Sequence, residues 1–266
     1  MRFIVGATTL GGLLLALLAG CGNETPKTQE QTGPKLPASL PGPSAPSVST
    51  PDAGPKIPPE AEKVFDEGEK LGSHGAYAQA LLKFQKASEL APSWAYPIYE
   101  MAYTHLLLGD PEKALEEYRR TDALEPHGFF TSKTALWTLE REQDGRLPKG
   151  LYAAYVALEG TDSKTKASGL AQILAIAPDY PPALKQKALL TEALSEREAL
   201  IERALALSPD QDTYGILILN KASLQFGAGK QAEARALLQK LIADEKTTFS
   251  NRSLAQDFLK RWAVGK

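Results

Sequence analysis

Cysteine is almost absent from this chain: one of its 266 residues carries a thiol. A single thiol excludes an intramolecular disulfide, so the core has no covalent staple. Histidine is nearly as scarce. His74, His105 and His127 are too scattered for a helical metal pair of the H-E-x-x-H kind, and no further cysteine is available to complete a metal site. An excess of one charge is lacking too, because 30 lysines and arginines face 32 aspartates and glutamates, leaving a formal net charge of −2. That balance supplies no clustered basic face, so nucleic acid is not an expected partner. Sustained alternation of apolar and polar residues between turns is missing, and no strand is expected.

The one cysteine stands in "LLALLAGCGNETP", residues 14–26, where an apolar run turns polar. Met1-Arg2 gives a short positive start, and Phe3 to Ala19 is uncharged and leucine-rich, the layout of a secretory signal. As a membrane span the run sits at the lower limit of about 17 residues, and its three glycines weaken it further. Leu18-Ala19-Gly20-Cys21 resembles the lipobox of bacterial lipoproteins. The resemblance implies removal of residues 1–20 and a mature protein starting at Cys21, with a diacylglycerol thioether on its sulfur and an acyl chain such as palmitate on its new amino group. Each buried methylene adds about 0.8 kcal/mol, so two or more chains hold a protein on a bilayer almost permanently.

Residues 22–59 hold ten of the 19 prolines and no aromatic residue. Such a segment cannot bury enough surface to fold, and it is expected to be a disordered spacer. At about 3.1 Å per residue in polyproline II, it could reach on the order of 100 Å. The expected division is therefore a signal peptide over 1–20, a lipidated cysteine and proline-rich linker over 21–59, and a folded domain over 60–266.

From there the composition turns to alanine, leucine, glutamate and lysine with helical periodicity, and the sequence repeats itself. "GAYAQALLKFQKASELAP" (75–92) and "GDPEKALEEYRRTDALEP" (109–126) match at a constant offset of 34 residues. Gly75 pairs with Gly109, Ala80 with Ala114, Phe84 with Tyr118, and Pro92 with Pro126. Glycine suits a tight turn between helices. Alanine allows close approach, the aromatic fills the space beside it, and proline stops the second helix. "LNKASLQFGAGKQAEARALLQKLIAD" (219–244) reads as another full unit, with Gly229 at the turn and Ala234 at the contact.

This pattern resembles the tetratricopeptide repeat (TPR), a 34-residue pair of antiparallel helices. The match is good at both ends of 60–245 and loose over 129–177, where helices are expected near 131–143, 148–159 and 163–177. Asp110-Pro111 reads as a capped helix start, and Ser195 to Glu198 as a capping box. Leu254, Phe258 and Trp262, at spacing four, predict a C-terminal capping helix. The expected fold is thus all-α: a TPR-like superhelical array of about five antiparallel helix pairs with an extra helix or two.

A stack of helix pairs curls so that the first helix of each pair lines a concave wall suited to extended peptides or partner helices. Tyr96, Tyr99 and Tyr103 share one helical face, which the resemblance turns toward that groove, with Phe65 and Tyr155 as extensions of the patch. The same rings would also serve as packing against the next helix, since aromatics fill cores as readily as they bind. Some TPR proteins grip a terminal carboxylate with lysine and asparagine. Phe65, Glu69, Tyr99 and Tyr103 align with those places here, so a partly apolar peptide is the expected ligand.

No catalytic constellation or cofactor site is found. "FGAGKQ" (226–231) is similar to a phosphate loop, but its leading position is Leu224 and Gln231 follows the lysine. The expected function is a membrane-anchored, non-enzymatic protein-interaction scaffold for assembling cell-envelope complexes. The alternative is a small-ligand receptor or an unrecognised envelope hydrolase, either of which requires a deep pocket. Gly22 after the anchor cysteine, where aspartate would favour retention at the inner membrane, points to an outer membrane if the organism has one.

Overall fold

The structure, a computed structural model, describes residues 56–264. The expected signal peptide, Cys21 and all of the linker up to residue 55 lie outside the described residues. Among the described residues there are twelve helices and no strand. They are α1 (Pro59–Ser73), α2 (Tyr77–Leu90), α3 (Ala95–Leu107), α4 (Pro111–Leu124), α5 (Ser132–Gln143), α6 (Leu151–Val156), α7 (Ser163–Ile176), α8 (Pro181–Leu190), α9 (Leu194–Ala206), α10 (Gln211–Gly227), α11 (Gln231–Ala243) and α12 (Phe249–Val264). None of them is long and apolar enough to cross a membrane.

Four pairs, α1/α2, α3/α4, α8/α9 and α10/α11, are regular hairpins stacked on their neighbours, which makes the fold TPR-like. Gly75, Gly109 and Gly229 turn these hairpins at φ of 76°, 78° and 81°, a region closed to most side chains. Ala80, Ala114 and Ala234 are completely buried where the helices meet. At Gly68 the approach is closer still: a Cβ there would lie 2.7 Å from Phe84 Cε1. The Asp110 carboxylate accepts the Lys113 N–H at 3.1 Å, capping α4 as expected.

Between the regular pairs stand α5, α6 and α7, close to the expected bounds. Here α6 is only six residues long. The buried Glu142 carboxylate accepts N–H groups of Gly150 and Tyr152 at 2.7 and 2.6 Å, which fixes the turn into α6. Gly169, unusual in a helix interior, is explained by contact, since a Cβ there would overlap Leu158 Cδ2. The capping box expected at Ser195 does not form. Helix α9 begins two residues earlier, with Ala193 at the N-cap, and has no side-chain cap; Arg197 instead donates from Nε to the Thr191 carbonyl at 2.8 Å.

The capping helix is present, with Leu254, Phe258 and Trp262 packed on the apolar cluster of Ile218, Leu219 and Leu238, and Trp262 stacked on Phe226 at 4.1 Å. Its first turn does more than cover the last pair. The Phe249 N–H donates to the His127 carbonyl at 3.1 Å, and Asn251 Nδ2 donates to the carbonyls of Gln211 and Asp212 at 3.3 and 3.2 Å. Thr134 Oγ1 on α5 donates to Asp210 Oδ1 at 2.9 Å across 76 residues. Helix α5 therefore touches α10 directly, whereas repeats in an open array meet only their neighbours.

Candidate functional site

This closure divides the inner wall. In the second half α10 meets both α5 and α8. Tyr180 is fully buried there, its hydroxyl 2.9 Å from Thr138 Oγ1 and its ring 5.6 Å from that of Tyr155. Asp210 and Asp212 are buried beside it, and the buried Oδ2 of each lacks a hydrogen-bond partner among the described residues. Burial first, and then the Asp210 charge, pushes the Asp212 carboxyl up to about 7. Burial opposes the charge of Lys185, but Tyr155 and the two aspartates outweigh it and hold that amine above its ordinary value.

The first half leaves a hollow. Tyr96, Tyr99 and Tyr103 do share one face of α3, and all three are half-buried. Glu69 on α1, Glu100 on α3 and Glu159 after α6 stand around them, near enough to perturb their titration. Burial, then Glu100 and Glu69, pushes the Tyr96 phenol up to about 12. Burial, then Glu159 and Glu100, does the same to Tyr103. Glu100 itself is pushed up to about 7 by burial and by Glu69. Glu159 is exposed to water, and desolvation by the surrounding protein nevertheless raises its pKa. Among the described residues, none of these three glutamates is in an ion pair.

The candidate residues divide accordingly. Phe65 is 4% exposed, with its ring 5.4 Å from Phe84 and 4.7 Å from Tyr96. Tyr155 is 8% exposed against Tyr180. Both rings are occupied in packing, so they support the wall and do not extend the patch. Tyr99 lies beneath a turn. Its hydroxyl is 2.9 Å from Thr131 Oγ1, and its ring is 5.6 and 5.2 Å from Phe129 and Phe130. Tyr96 and Tyr103 keep partly open surfaces.

Phe129 and Phe130 escape sequence reasoning because they sit outside any periodic segment, in the turn between α4 and α5. A signal was present: two adjacent aromatics after Pro126-His127-Gly128 have no helical stripe to join. Phe130 is 56% exposed, packs on Tyr96 at 5.3 Å, and has φ of +48°. That backbone region is strained for a bulky residue and is found preferentially where function or tight packing holds it.

No family model matches the chain, and no curated protein sequence matches it. Among solved structures, it is similar to a thermophilic TPR protein of Thermus thermophilus, at 24% identity over 75% of this chain and 98% of the other, with a TM-score of 0.31. It is also similar to PilW, a type IV pilus biogenesis factor, at 15% identity over 76% and 99% of the two chains and a TM-score of 0.32. PilF of Pseudomonas aeruginosa overlaps at 17% identity over 77% and 93%, again with a TM-score of 0.32. The assignment of the fold rests on the helix pairing described above.

Proposed function

We propose that this chain is a lipid-anchored bacterial scaffold whose helical body collects other polypeptides for the assembly of cell-envelope complexes. The observation that carries the proposal is the inner face of the first two helix pairs. It presents Tyr96, Tyr103 and Phe130 partly open to solvent and borders them with three glutamates outside any ion pair. Tyrosine and phenylalanine supply contact area with few rotamers to freeze, as binding hot spots require. A partly apolar segment fits the rings, and basic residues in it would meet Glu69 and Glu100. Anchoring is supported by Leu18-Ala19-Gly20-Cys21 at the end of the apolar run, and Gly22 favours the outer membrane where one exists. No enzymatic role is proposed.

Two measurements test this reading. Mass spectrometry of the mature protein should find residues 1–20 removed and Cys21 acylated, and Cys21→Ala should release the protein from membranes. An unmodified amino terminus carrying the first twenty residues would overturn the anchoring. Proteins cross-linked to the wild type in envelope extracts should be lost on combining Tyr103→Ala with Phe130→Asp. Their unchanged retention would remove the hollow from the mechanism.

A further inference from the structure

A cleft of about 360 Å³ lies apart from the hollow, between the C-terminal end of α5 with its following turn and the turn that joins α7 to α8. Its walls are Leu147, Pro148, Ile176, Ala177 and Pro178, with Trp137 and Arg141 between them. The last two are four residues apart on α5 and so share a face. The Arg141 guanidinium lies 3.7 Å from the centre of the Trp137 ring, and its Nη1 donates to the Trp137 carbonyl at 3.0 Å. Stacking on an aromatic ring fixes the plane of the cation while leaving its other N–H groups free to reach a planar anion.

The charges around the cleft are already distributed. Asp144 is taken by Arg146, whose Nε lies 2.8 Å from Oδ2. Asp179, at the opposite rim, is taken by Arg203 at 2.9 Å. Glu140 pairs with Arg119 at 3.3 Å, and Glu142 is occupied by the backbone of the α6 turn. Among the described residues, Arg141 has no carboxylate within ion-pair distance. Burial, and then repulsion from Arg146, holds its pKa below the ordinary value, against the opposing charges of Asp144, Glu140 and Asp210. Beside it Ile176 is 41% exposed, an apolar side chain of the wall that a ligand would cover. The walls are also held in place before any ligand arrives, since the Leu147 N–H donates to the Arg141 carbonyl at 2.9 Å and Arg203 Nη2 donates to the Pro178 carbonyl at 3.0 Å.

We propose that this cleft binds an organic carboxylate with a flat or branched apolar body, the carboxylate taken by Arg141 and the body lying against Leu147, Pro148 and Ile176. The volume is at the small end of ligand pockets, which run from about 300 to 1,000 Å³. A free acid and the last residue of a polypeptide present this same chemistry. Charge-assisted bonds to arginine and apolar burial are the two contributions to affinity.

The test is a titration of the purified protein, followed by NMR at the indole N–H of Trp137, with phenylacetate, phenylacetamide and the peptide Gly-Gly-Phe. Phenylacetate should bind saturably, and the neutral amide at least about tenfold more weakly. Arg141→Gln should weaken phenylacetate by at least about tenfold, and Ile176→Ala, which trims the apolar wall and adds no charge, should weaken it by about threefold. Arg120→Gln, which removes a paired cation outside the cleft, should change binding less than about threefold. Tighter binding of Gly-Gly-Phe than of phenylacetate identifies a polypeptide end as the source, and the reverse order a free acid. Equal binding of acid and amide, no saturation by any probe, or full affinity in a folded Arg141→Gln protein would overturn the proposal.

Discussion

The two halves of this stack use the same building unit and treat their inner faces in opposite ways. In α1 to α4 the first helices turn Glu69 of α1 and Tyr96, Tyr103 and Glu100 of α3 toward a hollow, and these carboxylates are outside any ion pair among the described residues. In α5 to α12 the corresponding face is closed by contacts between α5, α8, α10 and the start of α12, and its buried charges lie among protein groups. Curvature alone therefore does not make a binding surface. The decisive factor is whether distant helices meet across the concavity, and here three helices, α5–α7, stand where one regular pair would, and α5 meets α10.

The largest expected effect breaks the closed half. Asn251 is 2% exposed and donates to two carbonyls at the start of α10. Asn251→Ala removes both of these bonds and opens a cavity beside α10, which should cost about 2 kcal/mol in chemical denaturation. Hydrogen exchange should accelerate in α10 and α12 and remain unchanged in α1 to α3. Uniform acceleration would mean that the halves unfold as one unit.

An intermediate effect comes from protons and separates the halves by residue. Glu100 in the open half and Asp212 in the closed half are each pushed up to about 7, chiefly by burial. Between the usual carboxylate range near 4 and about 7 the folded protein holds protons that the unfolded chain has released. The stability from these groups is full below that range and is lost progressively as pH rises from about 4 through about 7. Thermal melts at pH 5 and pH 8 check the sign. Glu100→Gln and Asp212→Asn should each flatten part of the slope, and an Asp212→Asn protein that keeps the whole slope would assign it to the hollow alone.

The smallest effect on stability is expected at Phe130. Phe130→Asn relieves a backbone at φ of +48° that asparagine tolerates better, while losing ring contacts with Tyr96 and Tyr99. These changes oppose each other, so the unfolding free energy should move by less than about 0.5 kcal/mol. Partner retention should nevertheless fall, separating a binding role for the ring from a packing role.

Much of the architecture was legible because its causes are local. Gly75, Gly109 and Gly229 stand where the backbone needs positive φ, and Ala80, Ala114 and Ala234 where helices press together. The α5, α6 and α7 helices of the irregular middle were recoverable from their periodicity. The capping box at Ser195 was misread because a four-residue signature does not state where the helix begins. The hollow was half legible: the Tyr96, Tyr99 and Tyr103 stripe follows from helical spacing, whereas the burial of Phe65 and Tyr155 and the placement of Phe129 and Phe130 over Tyr96 and Tyr99 depend on how one helix packs on the next.

The sequence by itself determined the helices, their turns, the repeat and the terminal cap, since each follows from contacts within about 34 residues. Only the tertiary structure decided that Thr134 meets Asp210, that His127 meets Phe249, and that Arg141 and Ile176 face one cleft. Those meetings depend on the small rotations between successive helices accumulated over the stack, and no short segment encodes that sum.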